Sequence, residues 1–417
     1  MMNIRSDRNL IRSAGRSRRY LLITFTAPSA PARDGRTPIN VAFVLDRSGS
    51  MGGEKIVLVR EAVRKALAML RPEDRFSLVV YDDRIDVLVG STPASAEARR
   101  NAERKLARID ARGSTDLGGG WLSGCEQAAT HLGESSMGRC LLLTDGLANH
   151  GITDRDELTR HAGELLTRRI ATSTFGVGSD FDERLLQRMA TAGGGHAYYI
   201  ERNVQIVDYL TSELGEALDV VARDAALEVI LPSGVQAAPL TGYEHTRTGN
   251  SVRVRLGDIV SAQEVSIVLG LDFPAGREGE PLSIELCLSD RERTFAAPPA
   301  TVIWRFADRH ANKTQPRDGE VDRAVAELSA ARARDEALEL NRAGRYDEAV
   351  SLLCRAADQI SLYAADDPVL AGVVSILRDE MQVYSASMEP RDMKTRSFAS
   401  SSVMQDRTID GKAKRKR

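Results

Sequence analysis

The chain has 417 residues, of which 42% are hydrophobic, and a formal net charge of -2. This length allows two or three domains, each with its own apolar core, and the near-neutral charge gives no reason to expect nucleic acid or an anionic membrane as a partner. The four cysteines are widely spaced and form no Cys-x-x-Cys pair, so neither a zinc site nor a disulfide framework is indicated. We expect reduced, partly buried thiols at Cys125, Cys140, Cys287 and Cys354.

The N-terminal residues 1–19 are basic but contain no apolar segment of signal-peptide length. No stretch of the chain approaches the about 18 consecutive apolar residues that a membrane-spanning helix needs. We therefore expect a basic N-terminal segment and a cytoplasmic protein. Residues 20–26 then alternate as a strand does, and the following residues up to 38 carry three prolines and a glycine, so 20–38 is predicted to be a first strand and a linker.

Residues 39–218 alternate short apolar runs with longer helical periods, a pattern typical of a mostly parallel sheet covered by helices on both faces. The apolar runs lie at 41–45, 76–81, 140–143, 170–175 and 197–200. The run at 85–89 follows 76–81 after only three residues, which is too short for a parallel crossover. We predict a doubly wound, Rossmann-like α/β domain with one antiparallel edge strand.

Beyond residue 218 the apolar period changes to two, which indicates antiparallel strands packed on one face. We predict an antiparallel β-sandwich at 219–307, which the strand at 20–26 would complete. The α/β domain would then be inserted in the β-domain, after that domain's first strand.

A polar segment with one proline marks a second linker at 308–319, and helical sequence resumes at 320–388. The stretch 337–349 resembles the inter-helix turn of a tetratricopeptide-type hairpin, with Gly344 able to adopt positive φ, although a plain helical hairpin has the same need. Residues 389–417 are rich in serine and end in a cluster of lysine and arginine. We predict a disordered basic tail there, solvated rather than bound to nucleic acid or lipid.

The strongest functional signal is a group of oxygen-bearing side chains directly after the strand at 41–45. Asp46, Ser48 and Ser50 alternate along one turn before a helical pattern that begins near Glu54. Ligands of open α/β sheets bind outside the carboxyl ends of the strands, and hard divalent cations prefer oxygen ligands. By itself this triplet is equally compatible with a helix N-cap.

Two further oxygen ligands lie in loops predicted at the same edge. Thr115 stands in a glycine-rich loop before a helix, and Asp145 immediately follows the strand at 140–143. Together with Asp46, Ser48 and Ser50, these residues resemble the metal-ion-dependent adhesion site of von Willebrand factor A domains, with no departure at the five positions. The resemblance covers about 39–218, and the stretches at 53–55 and 175–182 are similar to bacterial cytosolic members.

This resemblance implies a role for each residue. Ser48 and Ser50 would coordinate the metal directly, Thr115 directly or through water, and Asp46 and Asp145 mainly through waters or as acceptors that orient the hydroxyls. The cation would be Mg²⁺ or Mn²⁺. Because its direct ligands are neutral hydroxyls, it would keep an open position for an aspartate or glutamate of a partner protein.

The implied function is therefore a metal-dependent protein–protein interaction module in a cytosolic multiprotein assembly, with a MoxR-type AAA ATPase as one such partner. The alternative is a metal-dependent hydrolase or phosphatase with Ser48 or Ser50 as nucleophile. Such an enzyme needs a positioned general base, and only Lys55 on the following helix and His150 offer one. A P-loop pattern is absent. We predict a binding protein, not an enzyme.

Three neighbouring residues have weaker signals. His150 lies on the rim of the site or, more simply, in solvent. Asp116 either supports the metal site or caps the helix that follows it, and capping is favoured. Trp121 falls on an apolar stripe and is expected in the core. Thr115 is expected at the surface, where its replacement by alanine would cost little stability.

Overall fold

The computed structural model describes residues 2–29, 36–133, 136–293, 295, 298–364 and 366–415. The chain divides into two compact units. The α/β unit comprises Pro31–Asp219 and Pro390–Phe398, and the β/helical unit comprises Met1–Ala30, Val220–Glu389 and Ala399–Arg417. Within the described ranges, every helix is too short or too polar to cross a membrane. Part of the predicted linker (30–35) and the end of the predicted basic tail (416–417) lie outside the described residues.

The α/β unit is built on one six-stranded sheet with the order β6-β5-β4-β7-β8-β9. The strands are β4 (Ile39–Asp46), β5 (Arg75–Tyr81), β6 (Ile85–Pro93), β7 (Met137–Thr144), β8 (Ile170–Val177) and β9 (Gly194–Ile200). Every neighbouring pair is parallel except β5 with β6 at the edge, which is antiparallel. The predicted mixed parallel sheet with an antiparallel edge strand is confirmed.

In the part of the α/β unit that the structure describes, six helices cover this sheet on both faces. They are α1 (Glu54–Met69), α2 (Ala96–Leu106), α3 (Leu117–Ala129), α4 (Arg155–Thr167), α5 (Glu183–Ala192) and α6 (Gln205–Leu218). Successive residues of the central strand point to opposite faces: Phe43 packs in the apolar cluster with α1, α2 and α6, whereas Val44 packs in the cluster with α3, α4 and α5. Every residue of β4, β7 and β8 is buried, as expected of parallel strands covered by helices on both faces.

Helix α3 lies very close to the sheet. A Cβ atom at Gly124 would collide with Val44, so only glycine permits this approach. Trp121 is fully buried and donates a hydrogen bond from Nε1 to Thr172 Oγ1 at 3.1 Å, as expected of a core residue whose N–H needs a partner. This packing fixes the start of α3, directly after the loop that carries Thr115.

The β/helical unit contains two sheets. The strands are β1 (Asn3–Ser6), β2 (Leu10–Arg12), β3 (Ser17–Thr26), β10 (Val220–Ile230), β11 (Gln236–Pro239), β12 (His245–Thr248), β13 (Ser251–Val260), β14 (Glu264–Phe273), β15 (Pro281–Ser289) and β16 (Ala300–Ala307). Their orders are β1-β3-β14-β11 and β12-β13-β10-β15-β16-β2, and both sheets contribute to one buried apolar cluster. Because β3 pairs with β14 in a long antiparallel ladder, residues far apart in the chain join one sheet, and the α/β unit lies between them in sequence.

The structure corrects two sequence predictions in this unit. The described part of residues 1–19, predicted as a basic N-terminal segment, instead contains β1, β2 and the start of β3. Arg19 is buried there and donates hydrogen bonds to the Leu10 carbonyl and to Asn312, so this charge is a structural donor rather than a solvated one. The pair β2 and β16 is parallel, so the arrangement is not the purely antiparallel sandwich that the alternation predicted.

Among the described residues after the strands there are five helices: α7 (Arg309–Thr314), α8 (Gly319–Arg342), α9 (Tyr346–Ala364), α10 (Pro368–Tyr384) and α11 (Pro390–Met404). The predicted linker at 308–319 contains the short helix α7, which Asp308 caps. Helix α9 packs against both α8 and α10, and Gly344 between α8 and α9 has a φ of +72°, as the hairpin prediction required.

The predicted disordered tail at 389–417 is also wrong, because α11 occupies much of it. Residues 390–398 of this helix belong to the α/β unit. Phe398 contacts the rings of Phe181 and Tyr199, and Lys394 is buried with Nζ 2.6 Å from both the Phe181 carbonyl oxygen and Glu183 Oε2. One aromatic ring and one fully paired lysine thus order a segment whose composition is that of a solvated chain.

Candidate metal centre

The first part of the candidate site is the turn between β4 and α1. Asp46 is the last residue of β4, and a 3-10 turn at Gly49–Met51 leads through Gly53, whose φ is +75°, into α1. The Asp46 carboxylate accepts the backbone N–H of Ser48 at 2.7 Å. This local bond holds the turn so that the side chains of Asp46, Ser48 and Ser50 lie near one another.

Hydrogen bonds connect this turn to the end of β7. The hydroxyls of Ser48 and Ser50 are 3.1 Å apart, and Ser50 Oγ donates to Asp145 Oδ1 at 2.6 Å. Thr144 Oγ1 donates to Asp46 Oδ2 at 2.7 Å. Parallel pairing of β4 with β7 places both strand ends at the same edge, which is why residues about a hundred positions apart meet there.

Thr115 completes the set from the loop before α3. A Cβ atom on Gly146 would lie 3.2 Å from Thr115 Oγ1 and 4.0 Å from Asp46 Oδ2, so this hydroxyl and this carboxylate border the same small space. The Thr115 backbone N–H donates to Asn149 Oδ1 at 3.0 Å. Only 3% of Thr115 is exposed, which corrects the expectation that it is a surface residue. All five residues named from the sequence are therefore brought together.

A cluster of two arginines and two aspartates connects the loops of the site. We call it the arginine–aspartate clamp, and its members are Arg47, Arg112, Asp82 and Asp86. Asp82 accepts bonds from Arg47 Nε at 2.9 Å and from Arg112 Nε at 2.7 Å, and Arg47 also pairs with Asp86. The Arg112 backbone N–H donates to the Arg47 carbonyl at 2.7 Å. The clamp thus ties the Thr115 loop to the serine turn.

Asp82 is the centre of this clamp. Burial acts to raise the pKa of its carboxyl, but hydrogen bonds from Arg112, the Arg84 backbone and Arg47 outweigh burial and hold the pKa below its usual value. Sequence reasoning missed the clamp. Its only signals were an arginine inside the Asp46 turn and two adjacent aspartates after a strand, and both are common in solvated loops.

Asp46 has a different electrostatic environment. It is fully buried, and burial raises the pKa of its carboxyl to about 6, although the bonds from Ser48 and Thr144 oppose the shift. The negative charge of Asp145 adds to the rise. A buried carboxylate in this state is short of positive charge, and a divalent cation beside it would supply that charge. Two carboxylates and three small hydroxyls are also the ligand types that suit a hard cation, so the residues fit the metal that the sequence predicted.

The neighbours of the site agree with the simpler sequence interpretations. Asp116 accepts the Gly119 backbone N–H at 2.9 Å and so caps α3. The side chain of His150 is 58% exposed, with Nδ1 3.7 Å from Asp116 Oδ2.

A second cluster of potential ligands, His196, Glu213 and Glu216, was not found from the sequence. Glu213 is buried and accepts hydroxyl bonds from Ser173 at 2.5 Å and Tyr198 at 2.6 Å, with His196 Nδ1 2.9 Å away. These contacts satisfy a buried carboxylate with hydrogen bonds from β8 and β9. We interpret the cluster as a stabilising network between α6 and the sheet.

Comparison with known proteins identifies the α/β unit. Residues 40–212 match the family model of the von Willebrand factor type A (vWA) domain. The chain contains a vWA domain. The matched range begins at β4 and ends within α6, so it takes in the whole sheet and every residue of the candidate metal centre.

Relatives and solved structures extend the likeness beyond the vWA domain. The uncharacterized Escherichia coli (strain K12) protein YfbK is 29% identical over 253 residues, which are 59% of this chain and 43% of that protein. A von Willebrand factor type A structure from Catenulispora acidiphila has a TM-score of 0.69 at 17% identity and covers 93% of this chain and 97% of its own. The structure of the ArnB paralog VWA2 from Sulfolobus acidocaldarius has a TM-score of 0.56 at 16% identity, covering 93% and 99%.

At such identities the two structures show a shared fold and nothing further. Because both cover 93% of the chain, the likeness includes the β/helical unit as well as the vWA domain. The chain spans less than two thirds of the length of the first curated relatives it matches, at 43%, 64% and 28%.

Proposed function

We propose that this protein is a metal-dependent interaction module whose vWA domain captures an acidic side chain of a partner protein. The proposal is carried by one observation: five oxygen-bearing residues from three loops gather at one edge of the sheet, around a buried carboxylate with a raised pKa. vWA domains commonly mediate metal-dependent protein–protein interaction, which agrees with this chemistry.

Each of the five site residues would have its own role in metal binding. Ser48, Ser50 and Thr115 would hold a Mg²⁺ or Mn²⁺ ion through neutral hydroxyls, while Asp46 and Asp145 orient those hydroxyls and accept from bound water. The ion would supply positive charge to an incoming carboxylate. The arginine–aspartate clamp would keep the Thr115 loop at the correct distance from the serine turn.

The setting of this module is part of the same proposal. We infer a cytoplasmic protein in a multiprotein assembly. A MoxR-type AAA ATPase is the first candidate partner, because the bacterial family members that this chain resembles often act beside such ATPases. The site supports the alternative, a hydrolase, less well. Ser50 donates to Asp145, whose carboxylate is also paired with Lys55, and an ion-paired carboxylate is a poor base for a serine hydroxyl.

Titration calorimetry tests the metal. Chelator-treated wild type should bind one Mg²⁺ or Mn²⁺ per chain, whereas Asp46→Ala and Asp145→Ala should not. Asp110→Ala is the matched control, because the side chain of Asp110 lies in the loop before α3 but is 94% exposed. Equal binding by all four proteins would contradict the proposed site.

Capture of the endogenous partner tests the interaction. Wild type should retain it in Mg²⁺ and release it in chelator, and Thr115→Ala should lose it in both. Thr115→Ser keeps the hydroxyl and should restore capture. If Thr115→Ala captures the partner as well as wild type does in Mg²⁺, recognition lies elsewhere, for example on α9 near Tyr346.

A further inference from the structure

The side chain of Lys55 reaches into the candidate metal centre. Its Nζ lies 2.5 Å from Asp145 Oδ2 and 3.3 Å from the Ser50 carbonyl oxygen. The loop after β8 borders it on the other side, since a Cβ atom on Gly178 would be 3.8 Å from Nζ. An ammonium group thus lies against two of the five residues proposed to hold the metal.

The position of this lysine is unfavourable for helix α1 taken alone. Lys55 is the second residue of α1, and a positive charge in the first turn opposes the helix dipole. Lys65, which lies later in the same helix, instead forms an ordinary exposed pair with Glu61 at 2.8 Å. The favourable contacts of Lys55 are therefore tertiary, and the ion pair with Asp145 is the main one.

The pair occupies much of the hydrogen-bonding capacity of Asp145. One carboxylate oxygen accepts from Ser50 and the other accepts from Lys55. The Asp145 side chain is fully buried and that of Lys55 is only 24% exposed, so the pair is less screened by water than a surface pair. A cation or metal-bound water that needs Asp145 meets an ammonium already in contact with it.

We propose that Lys55 is an internal cation that competes with the divalent metal for Asp145 and thereby sets the metal affinity of the site. This rests on the proposed function, because it assumes that the metal binds at the five residues. In this arrangement Lys55 neutralises Asp145 when the metal leaves, and it repels the metal when the metal binds. Both effects weaken metal binding, so removing the charge of Lys55 should strengthen it.

The test is titration calorimetry with Mg²⁺ and with Mn²⁺ on the full chain. Even with the full screening of bulk water, Coulomb's law at about 5 Å between a dication and a unit charge gives an effect of about tenfold, and the partial burial of the site makes this the minimum. We therefore expect Lys55→Gln to lower the dissociation constant at least about tenfold. Lys55→Arg keeps the charge and should stay near wild type, and Lys65→Gln, the matched control on the same helix, should not differ from wild type.

Thermal unfolding provides a second measurement. Without metal, Lys55→Gln should melt below wild type because Asp145 has lost its counter-charge. Saturating Mg²⁺ should raise the melting temperature of Lys55→Gln by more than it raises that of wild type. A lysine that merely positions Asp145 would give the opposite result, since its loss would weaken metal binding.

The outcomes separate the two proposals. If wild type binds metal through Asp145 but Lys55→Gln binds it equally or more weakly, competition by Lys55 is refuted and the metal site stands. If wild type shows no Asp145-dependent binding, the metal site itself is refuted, and the competition falls with it.

Discussion

Replacing Asp46 by asparagine should stabilise the protein in chelator, and by an amount that depends on pH. The carboxyl has a pKa of about 6 in the folded protein against 3.8 for an ordinary aspartate, because burial disfavours its charged form. Between these two values the folded state binds more protons than the unfolded state, so this residue lowers the free energy of unfolding as pH rises from about 4 to about 6. Above about pH 6 the residue is ionised in both the folded and the unfolded state, and the decrease in the free energy of unfolding is complete.

The magnitude follows from the shift. About two pKa units at about 1.4 kcal/mol each make the free energy of unfolding about 3 kcal/mol lower at pH 7 than it would be without this charge. Asparagine has the same shape, can accept the Ser48 N–H and can still bond to the Thr144 hydroxyl. Asp46→Asn should thus gain up to about 3 kcal/mol at pH 7 and almost nothing at pH 4.

Urea denaturation in chelator, followed by tryptophan fluorescence, measures this difference. A Trp304→Phe background leaves Trp121, which lies in the vWA domain, as the reporter. Added Mg²⁺ should stabilise wild type and leave the stability of Asp46→Asn unchanged. The difference between their free energies of unfolding at pH 7 should therefore become smaller. A difference between the two proteins that is the same at pH 4 and pH 7, or a variant that is less stable at pH 7, would refute the reasoning.

Five further substitutions, in three tests, probe ion pairing and packing by thermal or urea unfolding. Asp82→Ala should cost about 2 kcal/mol because it removes the buried acceptor shared by Arg47 Nε and Arg112 Nε. Arg112→Ala, at a half-exposed position, should cost less, and equal costs would contradict the central place of the carboxylate. Gly124→Ala should lower the free energy of unfolding by about 1–3 kcal/mol, because the added methyl group would collide with Val44 of β4. Gly372→Ala on α10, where no atom lies within 4 Å of the added methyl group, should raise it by about 0.5–1 kcal/mol. A decrease for both variants would show that steric collision is not the cause. Lys394→Met should cost about 1–3 kcal/mol because it removes the ammonium donor to the Phe181 carbonyl and the Glu183 carboxylate. An unchanged melting temperature would mean that these bonds of Lys394 do not stabilise the vWA domain.

The amino-acid sequence by itself determined the α/β fold and the membership of the candidate site. Both depend on signals local to the chain. Apolar runs separated by helical periods specify parallel strands, and a three-residue connection allows only an antiparallel partner for β5. Because the carboxyl ends of parallel strands share one edge, the positions of Asp46 and Asp145 directly after strands were enough to predict that they meet.

Only the tertiary structure decided which charges are partners. The Asp145 ion pair with Lys55 and the arginine–aspartate clamp join residues that are 30 to 90 positions apart, and in sequence each charge looks like an ordinary solvated one. The ordered helix α11 is a similar case, since Lys394 and Phe398 acquire their roles only against the surface of α5 and β9. A polar or charged side chain carries no local mark of burial, because burial depends on what distant part of the chain folds over it.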